Sequence, residues 1–144
     1  MKFKKLIALL LFAVLLLNMQ CEDDDQPLTV CDATTIIDNE LYENAQTAFY
    51  NLVNVEINEN CLNIEISSSG CSGETWVLEL VDSADIFESN PPQRNLKLVL
   101  TNNETCLAVF EQKQSFDITS LQVEDVNEVV LNIEDFLEPI LYSY

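Results

Sequence analysis

From residue 51 onward, apolar side chains fall at every second position rather than every third or fourth. In "NLVNVEIN" (51–58), Val53, Val55 and Ile57 alternate with Asn54 and Glu56, while Leu52 stands out of phase. In "CLNIEIS" (61–67), Leu62, Ile64 and Ile66 alternate with Asn63 and Glu65. A period of two puts one set of side chains on each face of a β-strand, so these segments read as half-buried antiparallel strands. "TWVLELV" (75–81) places Trp76, Leu78 and Leu80 on one face and Val77, Glu79 and Val81 on the other, which suits a more central strand. "NLKLVL" (95–100) follows the same rule, and "TCLAVF" (105–110) is apolar on both faces. "SFDI", "NEVVLNI" and "ILYSY" complete the set.

Turn residues separate the runs. Asn58-Glu59-Asn60 and Asn102-Asn103 suit hairpins, because asparagine tolerates positive φ. "SSSGCSG" (67–73) holds both glycines of the chain, and Pro91-Pro92 cannot lie inside a central strand. Residues 38–49 are ambiguous: Leu41, Ala45, Ala48 and Phe49 have helical spacing, so a short helix or an irregular crossover is expected there. Seven or eight short strands with regular turns predict an all-β antiparallel sandwich, immunoglobulin-like or a related Greek key.

The first twenty residues differ in kind. Lys2, Lys4 and Lys5 precede twelve uninterrupted apolar residues, Leu6 to Leu17, and Asn18-Met19-Gln20 leads to Cys21. Twelve residues span about 18 Å as a helix, against a hydrocarbon core of roughly 30 Å. This is the pattern of an export signal rather than a permanent span. With Cys21 at its end, the leader resembles that of bacterial lipoproteins. The resemblance implies cleavage before Cys21, a diacylglycerol on its thiol and an acylated amino terminus. The family usually has Leu, a small residue and then Gly or Ala before the cysteine, whereas Leu17 here is followed by Asn18, Met19 and Gln20. Several acyl chains, at about 0.8 kcal/mol per buried methylene, hold a protein stably on a membrane.

Glu22, Asp23, Asp24 and Asp25 follow at once. As a charge run they read as a solvated tether. In placement they resemble the acidic export signal of surface lipoproteins in the Bacteroidetes, which implies an outer-membrane lipid anchor facing the cell surface; the periplasmic face is the alternative. The organisation expected is a signal peptide over 1–20, an acidic lipid-anchored tether over 21–33 and a sandwich domain over 34–144.

Charge and cysteines narrow the functions. Residues 21–144 carry 25 acidic residues against Arg94, Lys97 and Lys113, a net charge of −22, and the chain has no histidine. Such a surface repels nucleic-acid phosphates, so no nucleic-acid partner is expected. The partners expected are the membrane, through the anchor, and an unidentified protein or glycan ligand.

There are five cysteines, Cys21, Cys31, Cys61, Cys71 and Cys106; giving Cys21 to lipid leaves an even set for two disulfides. If residues 61–67 and 74–82 form a hairpin, Cys61 and Cys71 lie at opposite ends of it, more than about 20 Å apart and beyond bridging distance. Cys106 follows the Asn102-Asn103 turn, which an antiparallel strand over 96–101 would bring toward the Cys71 end, so Cys71–Cys106 and Cys31–Cys61 are favoured over the remaining alternative. Their spacing does not suit zinc, which prefers closely spaced pairs, and no calcium-loop pattern is present, so no metal or other cofactor is expected.

Little in the chain suggests catalysis. Without histidine there is no Ser-His or Cys-His pair, and there is no G-x-S-x-G or phosphate-binding glycine loop. Two carboxylates acting on a glycoside remain a minor alternative. Trp76 reads as core rather than sugar platform, and Arg94 as the partner of an acid rather than an exposed anion contact. Asp82-Ser83-Ala84 resembles the Bacteroidetes O-glycosylation sequon, which makes Ser83 a candidate glycan site at the end of a strand.

From Cys61 on, through "CLNIEISSSGCSGETW", "PPQRNLKL", "NNETC", "FDITSLQ" and "LYSY", the chain resembles small flavobacterial lipoproteins over about 85 residues. That implies a secreted β-domain and no particular activity. The expectation is a non-enzymatic binding, adhesion or accessory module, with a structural coat lipoprotein as the alternative.

Overall fold

The computed structural model describes residues 30–144. The leader, Cys21 and the acidic residues 22–25 lie outside them. Two sheets face each other. The first runs in the order β1 (Ala33–Thr34), β7 (Ala108–Asp117), β4 (Cys61–Gly70), β3 (Asn51–Asn58); the second is β2 (Ile36–Ile37), β5 (Val77–Phe87), β6 (Gln93–Thr101), β8 (Glu128–Ile133), β9 (Ile140–Ser143). This is the expected all-β sandwich with two disulfides.

The period of two decides which residues meet between the sheets. Leu62, Ile64 and Ile66 of β4 and Phe116 of β7 face Leu78 and Leu80 of β5 and Leu96, Leu98 and Leu100 of β6, with Val129, Leu131 and Tyr142 extending the core. All are essentially inaccessible to water. Trp76 is core as expected.

Strand pairing departs from the expectation in two ways. Residues 61–67 and 74–82 do not form a hairpin: β4 pairs with β3 and β7, β5 pairs with β6, and the 71–76 connection carries the chain from one sheet to the other. The Asn102-Asn103 segment is likewise a crossover, from β6 to β7, rather than a hairpin turn. A period of two fixes the buried face of a strand but not its neighbour. In addition, three pairings are parallel: β1 with β7, β2 with β5 and β6 with β8.

The first two strands form a strap. Ala33–Thr34 adds to β7 in one sheet and Ile36–Ile37 to β5 in the other, so five residues bridge one side of the sandwich. Asp32 reinforces it: its carboxylate accepts from the Ser115 N–H (2.9 Å) and hydroxyl (2.6 Å), and these bonds hold its pKa below the ordinary value. The ambiguous segment resolves into both alternatives, a six-residue helix α1 (Asn39–Asn44) capped by Asp38, then an extended crossover to β3. "TCLAVF" is not buried on both faces, since Leu107 and Val109 are exposed.

Candidate functional site

The disulfides form as Cys31–Cys61 and Cys71–Cys106. The pairing is the one expected, although the hairpin premise behind it is not. Cys71 and Cys106 lie in the two inter-sheet crossovers, which the bond ties together. A second device joins the same loops. The Glu104 carboxylate accepts from the backbone N–H groups of Cys71, Ser72 and Gly73 and from the Thr75 hydroxyl. There is no room for a Cβ on Gly70, which would come within 2.9 Å of the Trp76 ring.

Charge-assisted bonds of this kind favour the ionised form and take the Glu104 pKa from 4.5 to about 2. A folded pKa below the unfolded one adds stability above pH 4.5 that is lost as pH falls towards 2. A Glu104→Gln variant should therefore melt below wild type at pH 7, with the gap closing between pH 4.5 and 2. A gap constant over that range would refute the ionic clasp.

Arg94 and Ser83 occupy places that the sequence does not suggest. Arg94 lies in β6, 6% exposed, with its Nη1 3.2 Å from Oδ1 of fully buried Asp82 and its Nε donating to the Leu121 carbonyl. The ion pair was expected, the burial was not. Asp82 Oδ1 also accepts from the Ala84 N–H, at a left-handed residue (φ 64°) in the irregular stretch between Asp82 and Ile86. Burial raises the Asp82 pKa, against the lowering effect of Arg94.

Ser83, expected at an exposed strand end, is 4% exposed and lies within β5. A bulky glycan cannot be carried at a buried strand position, and this structure offers none of the exposure on which that expectation rested. Among the described residues no group of three or more His, Cys, Asp or Glu could hold a metal ion.

A groove of about 740 Å³ lies on the seam opposite the strap, between residues 49–52 and 135–138. β8 covers β6 only as far as Leu96, which leaves the upper edge of β6 open. The crossover from α1 takes that edge: Ala48 N–H donates to the Leu100 carbonyl, Leu100 N–H to the Thr47 hydroxyl and the Tyr50 hydroxyl to the Leu98 carbonyl. Ser68 donates to the Phe49 carbonyl at 2.7 Å, which fixes the backbone while the Phe49 side chain stays 79% exposed.

The opposite wall follows β8. Asp135 takes a left-handed conformation (φ 65°), and Phe136 N–H donates to the Ile133 carbonyl. This turn sends Phe136 against the core and leaves Leu137 97% exposed. Asp135 and Glu138 stand among the lining residues. The Tyr50 phenol is pushed up to about 12 by burial and then by the charges of Asp135 and Glu134. The sequence signal for this groove, "EDFLEP" (134–139), lay in plain view, but nothing local pairs it with Phe49, some 90 residues earlier.

The fold is a disulfide-linked two-sheet β-sandwich. Solved structures similar to it include a protein of unknown function (DUF1344) from Bacteroides vulgatus (17% identity, TM-score 0.53), a putative toxin-related protein from Parabacteroides distasonis (18%, 0.52) and a NigD-like immunity protein from Bacteroides caccae (13%, 0.55). The alignments cover 76–81% of this chain, which spans only 58–59% of the length of those structures. At such identities the likeness shows a shared fold. No protein-family model and no curated protein matches the chain.

Proposed function

We propose that this chain is a lipid-anchored domain of the outer membrane, displayed at the cell surface, that works as a non-enzymatic binding or accessory module. The observation that carries the reading is cysteine parity. Cys31, Cys61, Cys71 and Cys106 pair with one another, which leaves Cys21, at the end of the apolar leader, as the odd thiol. The acidic residues 22–25 supply the surface address in this reading. The ten residues from Cys21 to Cys31 reach at most about 35 Å, enough to hold the domain clear of the headgroups. Solved likenesses described as an immunity protein and a toxin-related protein fit an accessory role.

Intact mass of the protein from its native host, before and after reduction, tests this. The expected mass is that of residues 21–144 plus diacylglycerol and one acyl chain, rising by about 4 Da on reduction as two disulfides each take up two hydrogens. A lipid-free mass would sink the anchor.

A further inference from the structure

We propose that the seam groove between residues 49–52 and 135–138 docks a cationic peptide segment of another protein, an extended stretch in which Lys or Arg alternates with bulky apolar side chains. The proposal rests on the reading of the domain as a binding module, not on the lipid anchor.

Two features carry it, shape with apolar exposure, and charge. Single exposed apolar residues are ordinary on any protein surface. Here Phe49 and Leu137, 79% and 97% exposed, stand on opposite walls of one groove whose floor includes Tyr50, Leu52 and Phe136. Both walls are anchored by backbone hydrogen bonds, so the groove is formed in advance of any ligand. Its volume of about 740 Å³ lies within the range of ordinary ligand clefts, roughly 300–1,000 Å³.

The charge selects the occupant. Asp135 and Glu138 line the groove, and among the described residues no basic group lies within ion-pair distance of either. Of the three cations of the domain, Arg94 pairs with Asp82 and Lys113 with Glu56, while Lys97 pairs with Glu134, beside the groove but outside its lining. On the floor, the Tyr50 phenol is raised first by burial and then by the charges of Asp135 and of Glu134, the partner of Lys97. A second copy, with a net charge of −22 and the same acidic rim, would be repelled, and so would an anionic lipid surface.

Docking through side chains fits the strand beside the groove better than strand addition does. Among the described residues β3 pairs only with β4, and a register shift between Leu52 and Asn54 in that pairing breaks the regularity of the strand.

The test uses the full chain as its host processes it, and a fluorescent heptapeptide of alternating lysine with phenylalanine or leucine. Anisotropy titration at low salt should show saturable binding, at least tenfold weaker after Leu137→Ser or Phe49→Ser. The Asp135→Asn/Glu138→Gln variant should lose about tenfold and show a flatter salt dependence. All the substituted side chains sit at the groove surface, and an unchanged melting temperature establishes that the variants are folded. Absence of binding overturns the proposal. So does equal binding of a peptide with serine at its apolar positions, equal binding by both serine variants, or self-association through this face in sedimentation. A lipid-bearing mass together with no peptide binding overturns the groove alone; peptide binding by a lipid-free protein overturns the anchor alone.

Discussion

An Arg94→Met variant is expected to lose about 3–5 kcal/mol of stability at neutral pH, because it strands a charged carboxylate in the core. Asp82 is fully buried, and Arg94 is its ion-pair partner. The comparison that isolates the cause is Asp82→Asn/Arg94→Met. Asparagine keeps an oxygen for the Ala84 N–H and carries no charge, so the double variant should recover about half of the loss or more.

The deficit should also depend on pH. Burial already holds the Asp82 pKa above its ordinary value of 3.8, and Arg94 is the main influence lowering it. A carboxyl whose folded pKa is raised favours folding most below pH 3.8, and that contribution fades as pH rises through the folded value. Without Arg94 the folded pKa climbs further, so the deficit against wild type should be small near pH 4 and full at pH 7. Urea unfolding at the two pH values measures it; equal deficits would show that the charge of Asp82 is not the cause.

The second large effect belongs to the disulfides. The paired residues are separated by 30 and 35 positions, and loops of that size correspond to about 3.5–4 kcal/mol each in the chain-entropy account. Together they approach the whole stability of an ordinary domain, about 5–15 kcal/mol. Full reduction should therefore leave the chain largely unfolded at 37 °C.

Cys71→Ser/Cys106→Ser should cost less than Cys31→Ser/Cys61→Ser, because the Glu104 clasp still joins the same two crossovers. Adding Glu104→Gln to the first variant should remove more than the sum of the separate losses. Strict additivity in urea unfolding would show that clasp and disulfide do not share a task.

How far the sequence foretold this molecule depends on what is asked of it. Alternation at Leu62, Ile64 and Ile66 revealed the buried face of β4, because that face is a local property of a strand. It could not reveal that β5 lies in the other sheet, since hairpin and crossover place the same residues inward. Leu107 and Val109 show the opposite limit: apolar on both faces by sequence, they end on the surface where β7 begins. Arg94 was legible as an ion-pair partner, but its burial depends on Asp82, twelve residues away across two strands. The groove was illegible for a stronger reason. Its walls come from the segment leading into β3 and the turn after β8, and only the full topology sets Phe49 opposite Leu137.

The Cys31–Cys61 bond has a mechanical consequence. The strap holds each sheet by only two paired residues, a short grip that peels readily. A domain held by its N-terminal segment and dragged by flow would load that grip first, were it alone. The bond lies ahead of the strap and hands the tension to Cys61, the first residue of β4, which is paired on both sides with β3 and β7. In a domain so held, force would enter an inner strand that is hydrogen-bonded along both edges. The strap behind the bond would stay slack, spared a pull that two short strands resist poorly.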